Sequence, residues 1–348
     1  KIMKKKIAII GAGWFGCHIA SEIIKLNKFD IQIFEKNNEI FQGASTNNQN
    51  RLHLGFHYPR SKETRVQSKK GFKKFLEIYP FLCSKVKNNM YGVANHQDSQ
   101  IDFGTFLQVM KSENLKYKEV NAKQNFGIEG LSGAILTHEM LIDSEKSKKF
   151  FKKKLRSFLH LNMDIKKIEK IKDKYKINDE LFDYVINCTY YQKFVKKNPE
   201  IVYEVTSSII YKCNKNFPAL TVMDGPFFTI YPYKKNLYNV YSVTHSRFGL
   251  SRLINKCENI LSQVRNDNTL LHLKKKLAEK QILTFYPKFL KHFKFKKFLT
   301  CIRTINKSKN ADRSYKVYFN ENLINVYSGK IDHISLAGEE IIKFLQNR

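Results

Sequence analysis

The stretch KIAIIGAGWFG, residues 6–16, decides the fold of this chain. It opens with a short apolar run, which is typical of a strand buried on both faces of a parallel sheet. A G-x-G-x-x-G turn occupies residues 11–16, and apolar residues then recur at helical spacing over residues 18–26. A second apolar run ends at Glu35. Strand, glycine turn, helix, strand and acid, in that order, predict a Rossmann-like nucleotide-binding unit within an α/β fold.

The glycines of this turn have separate roles. Gly11 permits the tight turn, Gly13 lets a pyrophosphate approach the backbone, and Gly16 lets the helix pack closely on the strand. The helix that follows offers free N–H groups and the positive end of its dipole to the phosphates. Trp14 and Phe15 lie in this turn, so they are predicted cofactor contacts.

The acid after the second strand selects the nucleotide. Glu35 lies 19 residues after Gly16, where a carboxylate accepts hydrogen bonds from the adenosine ribose, and Lys36 follows it. An acid at this position favours an unphosphorylated ribose, hence FAD or NAD over NADP. An NAD domain usually continues with alternating strands and helices. Here residues 41–60 are polar and irregular, as functional segments often are.

Four segments resemble the FAD-dependent oxidoreductases of the D-amino-acid oxidase superfamily, which includes glycine and sarcosine oxidases. The first is the fingerprint over residues 11–35, and the second is GASTNNQNRLH, residues 43–53, which in that family runs along the flavin. FDYVINCT, residues 182–189, is similar to a late strand of the family near the cofactor. NVYSGKIDH, residues 325–333, looks like the closing strand and glycine turn, which a helix follows.

Some positions depart from the family pattern. Tyr190 stands where a glycine is expected, and residues 329–333 replace a Gly-x-x-Gly-His pattern. Through LGFHYPRS, residues 54–61, the chain is also similar to subgroups of the family that occur in surface-polysaccharide gene sets and act on sugars or sugar nucleotides. Amino acids, amines and sugar derivatives therefore all remain open as substrates.

The resemblance implies a Rossmann-like FAD-binding domain interleaved with an antiparallel-sheet substrate domain. The FAD-binding domain would comprise residues 1–85, 130–195 and 300–348, and the substrate domain residues 86–129 and 196–299. Besides the residues of the fingerprint, the implied cofactor contacts are Ser45, Asn50, Arg51, Leu52, His53, Ile165, Thr189, Gly329, Lys330, Ile331, Asp332 and His333. The FAD is expected to be bound non-covalently, with attachment through Cys301 or a histidine as the alternative.

The implied reaction is oxidation of a C–N or C–O bond of a small polar, anionic substrate by hydride transfer to flavin N5. Dioxygen or an electron carrier would then reoxidise the flavin. His53 and His57 are the candidate bases, because histidine titrates near neutral pH.

Other side chains are candidates for the substrate space. Arg303, in a Cys-Ile-Arg sequence that resembles the Gly-x-Arg strand of amino-acid oxidases, is expected to hold a carboxylate or phosphate. Arg51 and Arg60 are further candidates for holding an anion, and a structural ion pair is the alternative for each of the three arginines. The remaining candidates are Tyr58 for substrate binding, and Tyr231 and His245 facing the flavin.

Local patterns predict the surrounding elements. The predictions are helices over residues 150–159, 253–263 and 270–282, a hairpin over residues 162–178, and strands over residues 201–212 and 227–243.

Composition adds limits. The 348 residues exclude a disordered tail or a disulfide miniprotein, and the formal net charge is +31. Since 52 of the 62 cationic side chains are lysines and the chain lacks helix-turn-helix, RNP and zinc patterns, nucleic acid is not an expected partner. AT-rich codons or steering of an anion explain the charge equally well.

Six cysteines without C-x-x-C pairs predict free thiols, no metal site and a cytoplasmic protein. No apolar run is long enough to predict a membrane span.

Two other functions remain open. One is a non-redox flavoenzyme that acts on a sugar nucleotide, as a mutase does. The other is a binding protein with a basic surface and a vestigial flavin site.

Overall fold

A computed structural model describes residues 4–195, 200–307 and 312–348. The helices are α1 Trp14–Leu26, α2 Lys62–Ile78, α3 Phe103–Ser112, α4 Ala122–Phe126, α5 Ser144–Leu155, α6 Ile254–Asn266, α7 Asn268–Phe285, α8 Phe289–His292 and α9 Ile334–Gln346, with 3₁₀ turns at Pro80–Leu82, Arg156–Phe158 and Ile331–His333. The strands are β1 Lys5–Ile10, β2 Phe29–Phe34, β3 Arg51–Leu52, β4 Cys83–Lys85, β5 Asn89–Ala94, β6 Lys118–Glu119, β7 Leu131–Thr137, β8 Met140–Ile142, β9 Leu159–His160, β10 Glu169–Ile171, β11 Lys174–Ile177, β12 Glu180–Phe182, β13 Tyr184–Asn187, β14 Ile201–Cys213, β15 Ala219–Met223, β16 Phe228–Lys234, β17 Leu237–Ser242, β18 Arg247–Ser251, β19 Phe293–Asn306, β20 Lys316–Asn320 and β21 Leu323–Tyr327. Within these described ranges, no helix has both the length and the apolar character needed to cross a membrane.

The predicted parallel sheet is present, and β1 lies inside it. The strand order is β20-β21-β13-β1-β2-β9, and only the edge strand β20 is antiparallel to its neighbour. Ile7 and Ile9 of β1 are fully buried in one core with residues of α1 and α9. The apolar run of β1 therefore acts as expected of a strand covered on both faces, and the Rossmann-like unit is confirmed.

A second, larger sheet forms the other half of the molecule. Its order is β18-β14-β17-β16-β15-β5-β7-β6, with β19 also paired to β14, and only β15 and β5 run parallel. Ala278, Ile282 and Phe285 of α7 are buried against this sheet in a separate core. The strands and helices predicted over residues 201–282 are present here, and the α/β fold with a largely antiparallel second sheet is confirmed.

Sheet membership differs from the predicted segment bounds in two places. Strand β7 pairs with β5 in the large sheet, although the sequence assigned residues 130–195 to the FAD-binding domain. Strand β19 pairs with β14 along its whole length and so crosses the bound predicted at residue 300. Strand pairing depends on residues distant in sequence, so local patterns do not reveal it.

The segment before residue 183 also differs from its prediction. The predicted hairpin is present as β10 and β11, and β12 adds a third antiparallel strand to it. The helix expected at residues 150–159 is α5, which begins earlier because the Asp143 side chain accepts a hydrogen bond from the Lys146 N–H at 2.9 Å. Ile165, expected in a strand, lies in the irregular segment between β9 and β10.

Helix α2 meets the turn before α9 in a very close contact. A methyl group placed on Gly71 would lie 1.9 Å from the carbonyl oxygen of Asp332. Since Lys330 and Ile331 precede Asp332 in the same turn, this contact sets the position of both.

We therefore predict that Gly71→Ala destabilises the protein by about 2 kcal/mol, because the added methyl must push the two segments apart. Helix propensity alone predicts the opposite, a gain of about 1 kcal/mol. Thermal unfolding of the cofactor-free protein measures the change. The control is Gly43→Ala, since a methyl group there meets nothing within 4 Å; a Gly71→Ala protein as stable as this control would refute the prediction.

Candidate cofactor and substrate site

A large cavity of about 860 Å³ separates the two sheets. One wall consists of residues at the carboxyl ends of β1, β2, β13 and β21, and the other of residues from β14, β16, β17 and β19. The predicted site residues that line it are Gly11, Gly13, Trp14, Phe15, Glu35, Lys36, Ser45, Asn50, Arg51, His53, His57, Tyr58, Ile165, Thr189, Arg303, Gly329, Lys330 and Ile331.

Other predicted site residues lie behind the cavity wall or away from it. These are Gly16, Leu52, Arg60, Tyr231, His245, Asp332 and His333. Tyr231 is fully buried, and its hydroxyl donates to the Met140 carbonyl oxygen at 3.2 Å. Asp332 and His333 are buried in the 3₁₀ turn before α9. The Tyr231 ring packs against the Arg51 guanidinium, and the 3₁₀ turn holds Asp332 and His333 in the protein interior.

The glycine turn forms a cradle at one end of the cavity. Gly11 has a φ of +99°, and a methyl group on it would lie 2.7 Å from the Cys188 carbonyl oxygen. A methyl group on Gly13 would lie 2.8 Å from the Ser45 hydroxyl oxygen, which accepts a hydrogen bond from the Trp14 N–H at 3.1 Å. The bare backbone at the start of α1 therefore suits a pyrophosphate.

The acid beside this cradle is partly engaged by the protein. The Glu35 carboxylate accepts hydrogen bonds from the Ala12 N–H at 2.9 Å and from the Asn37 N–H at 3.0 Å. The Asn37 side-chain amide also donates to it, at 2.6 Å, so about one of the four acceptor positions of the carboxylate remains for a ribose hydroxyl. Glu35 thus also braces the glycine turn, a role that its spacing alone does not reveal.

Several buried polar atoms on the cavity wall have no hydrogen-bond partner in the described residues. They are Trp14 Nε1, both amide atoms of Asn50, Arg51 Nε and Nη2, and the Nδ1 atoms of His53 and His57. Leaving such atoms unpaired costs about 1–3 kcal/mol each. Their concentration along the segment predicted to run beside a flavin fits a large polar ligand bound there.

Arg51 is almost fully buried, at 4% exposure. Its Nη1 donates to the hydroxyls of Tyr91 at 2.9 Å and Thr221 at 2.8 Å, and lies 3.9 Å from a Glu139 carboxylate oxygen. The guanidinium carbon is 3.9 Å from the ring centre of Tyr231. Tyr231, predicted to face the flavin, therefore supports Arg51 from behind the cavity wall.

Glu139, which no sequence motif singles out, is the counter-ion of this region. It is 1% exposed and accepts hydrogen bonds from the Leu54 N–H and the Tyr91 hydroxyl, both at 2.7 Å. His53 Nδ1 lies 3.7 Å from it. Although burial alone would raise the pKa of Glu139, its contacts with His53 and Arg51 hold that pKa below the usual range.

The two histidines predicted as bases lie together on the cavity wall. The ring centres of His53 and His57 are 5.7 Å apart, and the Tyr58 ring is 5.1 Å from that of His57. The Lys330 ammonium lies 4.4 Å from the Tyr58 ring centre. Burial and the Lys330 charge lower the pKa of His53 to about 4, and burial also lowers the pKa of His57. Both imidazoles are therefore neutral at pH 7 and able to accept a proton.

The other two predicted anion-binding arginines also have acidic partners. Arg60 lies off the cavity, with its Nε 2.5 Å from an Asp224 carboxylate oxygen. Arg303 lines the cavity, and both its Nε, at 3.2 Å, and its Nη2 donate to one oxygen of the buried Glu204. Both residues thus form the structural ion pair given as the alternative, and binding of a substrate anion by either stays a prediction.

Comparison with known proteins agrees with this geometry. Residues 6–265 match the family described as FAD dependent oxidoreductase. The chain belongs to this family. Its cofactor is FAD.

The oxidoreductase is 32% identical over 342 residues to the FAD-dependent monooxygenase FPY4 of Fusarium mangiferae, covering 98% of this chain and 91% of the relative. It is 27% identical over 371 residues to the FAD-dependent monooxygenase kojA of Aspergillus flavus, covering 98% and 86%. Among solved structures, glycine oxidase from Geobacillus kaustophilus matches with a TM-score of 0.73 at 12% identity, covering 99% of this chain and 96% of that one. L-alpha-glycerophosphate oxidase from Mycoplasma pneumoniae, with FAD bound, matches with a TM-score of 0.70 at 13% identity, covering 99% and 95%.

The cavity wall of the oxidoreductase also contains polar residues that sequence reasoning missed. They are Thr206 and Ser208 on β14, Thr229 on β16 and Tyr241 on β17. On these strands polar or titratable side chains recur two positions apart, with Glu204, Tyr231 and Asn239 as neighbours on the same face. Alternation of this kind marks one face of a strand. It did not identify the cavity-facing side because the opposite face of these strands is buried as well.

We predict that Glu139→Gln lowers the free energy of unfolding of the oxidoreductase by about 3 kcal/mol, because Arg51 then remains buried without its counter-ion. Denaturant unfolding measures the change. The control is Glu180→Gln, which removes an exposed ion pair with Lys6 and should cost less than about 1 kcal/mol. Equal losses in the two variants would contradict the prediction.

Proposed function

We propose that this oxidoreductase removes two electrons from a C–N or C–O bond of a small polar substrate and passes them to dioxygen or an electron carrier. The observation that carries the proposal is the group of His53, His57, Tyr58 and Lys330 on the wall of a cavity whose other end has the glycine cradle. The candidate nucleotide-binding and proton-accepting groups thus line the same cavity.

Bound FAD supplies the two-electron acceptor. The protein's own residues bind the substrate and move its proton. His53 is neutral at pH 7 and takes the proton from a substrate hydroxyl or ammonium group. Lys330, 5% exposed and 3.3 Å from an Asp332 carboxylate oxygen, places its side-chain nitrogen at the cavity wall, where it would stabilise negative charge on the bound cofactor.

We expect the flavin to be bound non-covalently. Cys301 lines the cavity, but its thiol donates to the Asn47 carbonyl oxygen at 3.4 Å. Burial raises the pKa of Cys301 to about 11, so the nucleophilic thiolate is scarce at neutral pH. All six cysteines are free, which supports the cytoplasmic location expected from the sequence.

The pH dependence of kcat/KM should identify the base. A base acts in its neutral form, which exists above its pKa, so we predict activity that is level from pH 6 to 8 and falls below about pH 5, near the His53 pKa of about 4. His53→Gln should lower kcat by about 10²–10⁴-fold and abolish this acid limb. The control is His272→Gln, an exposed residue on α7, which should leave the profile unchanged. An acid limb that persists in His53→Gln would eliminate His53 as the base.

Insertion of an oxygen atom is the second candidate reaction, because the relative at 32% identity is named a monooxygenase. Turnover under ¹⁸O₂ distinguishes the two. For the proposed two-electron oxidation we predict that the label appears in hydrogen peroxide when dioxygen is the acceptor, and that the organic product contains none. Label in the product would instead favour the monooxygenase.

The mutase-like and binding-protein alternatives have less support, since the chain belongs to an oxidoreductase family. A mutase-like enzyme would leave its substrate without net oxidation in a single turnover.

A further inference from the structure

Three hydroxyl groups on the sheet side of the cavity share one arrangement. Ser208, Thr229 and Tyr241 all line the cavity. Each hydroxyl oxygen accepts a hydrogen bond from a protein amide or guanidinium group: Ser208 from Asn239 at 2.9 Å, Thr229 from Gln49 at 2.5 Å, and Tyr241 from Arg303 at 2.5 Å. No acceptor for their own O–H hydrogens is found among the described residues. The three hydroxyls therefore present donors to a ligand.

The same wall also offers an acceptor. Gln49 lines the cavity and uses its amide Nε2 to donate to Thr229 and to the Asn239 carbonyl oxygen. Its carbonyl oxygen receives no hydrogen bond from the described part of the chain. A ligand that only accepts hydrogen bonds would leave this oxygen unmatched, whereas a hydroxyl-bearing ligand both accepts and donates.

A carboxylate clamp is not available at Arg303. The edge formed by its Nε and Nη2 is the edge that would grip a substrate carboxylate with two parallel hydrogen bonds. Both atoms already donate to Glu204, which is 0% exposed and also bonds Arg247 through its second oxygen. The protein thus places its own carboxylate where the carboxylate of an α-amino acid would bind.

We propose that the substrate is a polyhydroxylated compound, a sugar or polyol, bound through Ser208, Thr229, Tyr241 and Gln49. This assignment rests on the proposed oxidoreductase function and narrows its substrate class. It selects the C–O alternative: a primary or secondary alcohol becomes a carbonyl, His53 accepts the hydroxyl proton, and the bound FAD would accept the hydride of the same carbon.

Calorimetric titration of the FAD-loaded enzyme tests the assignment without relying on turnover. The probes are D-glucose, D-xylose and D-sorbitol on one side and glycine, L-proline and D-alanine on the other. We expect at least one polyhydroxylated probe to bind and the amino acids to give no binding heat. Tighter binding of an amino acid, or no binding by any of the three polyhydroxylated probes, would overturn the assignment.

Single substitutions locate the binding. Ser208→Ala, Thr229→Val and Tyr241→Phe each remove one donor, and we expect each to weaken the polyhydroxylated probe about 5- to 10-fold, the loss of about one hydrogen bond. The control is Ser207→Ala, since Ser207 is buried on the same strand and is not a cavity-lining residue. Unchanged affinity in all three variants would refute the assignment to this wall.

A reverse experiment uses Glu204. In Glu204→Gln the guanidinium of Arg303 is released, and we expect glycine or D-alanine to gain measurable binding. Should this variant not fold, the Ser208, Thr229 and Tyr241 variants still test the assignment.

Failure of the substrate class can be told apart from failure of the oxidoreductase function. If amines reduce the bound flavin while no sugar or polyol binds, the oxidoreductase function is correct and the proposed substrate class is wrong.

Discussion

Helix α1 approaches the turn after β1 so closely that no side chain fits between them. A methyl group on Gly16 would lie 1.9 Å from the Gly11 carbonyl oxygen, and one on Gly11 would lie 2.7 Å from the carbonyl oxygen of Cys188. Strand β1, helix α1 and the end of β13 thus meet at one point. This contact directs the first N–H groups of α1 into the cavity, and the nucleotide site depends on it.

The second half of the site depends on charges that the protein balances internally. Arg51 is paired with Glu139, Arg60 with Asp224, and Arg303 with Glu204. Of the lysines in the described ranges, only Lys330 is buried, and it lies on the cavity wall. In the described ranges the other lysines behind the formal charge of +31 are at least partly exposed, while the cavity wall combines cationic side chains with a hydrogen-bonding face.

Local sequence predicted the elements that depend on local forces. The glycine turn, the closing strand β21 and the helix α9 follow from apolar periodicity and turn residues, which act over a few positions. The wall of hydroxyl groups was missed, although its two-residue alternation is visible in β14. In a strand buried on both faces, that alternation is masked by apolar residues on the opposite side.

The sequence by itself determined a Rossmann-like dinucleotide-binding unit, because the glycine spacing and the acid at Glu35 leave few other backbone arrangements; FAD followed from the family resemblance. Only the tertiary structure decided what the candidate side chains do. Glu204 reaches Arg303 across 99 positions and Arg60 reaches Asp224 across 164. Such partners meet only after the two sheets have formed, and a charge is available to a ligand only when no such partner has neutralised it.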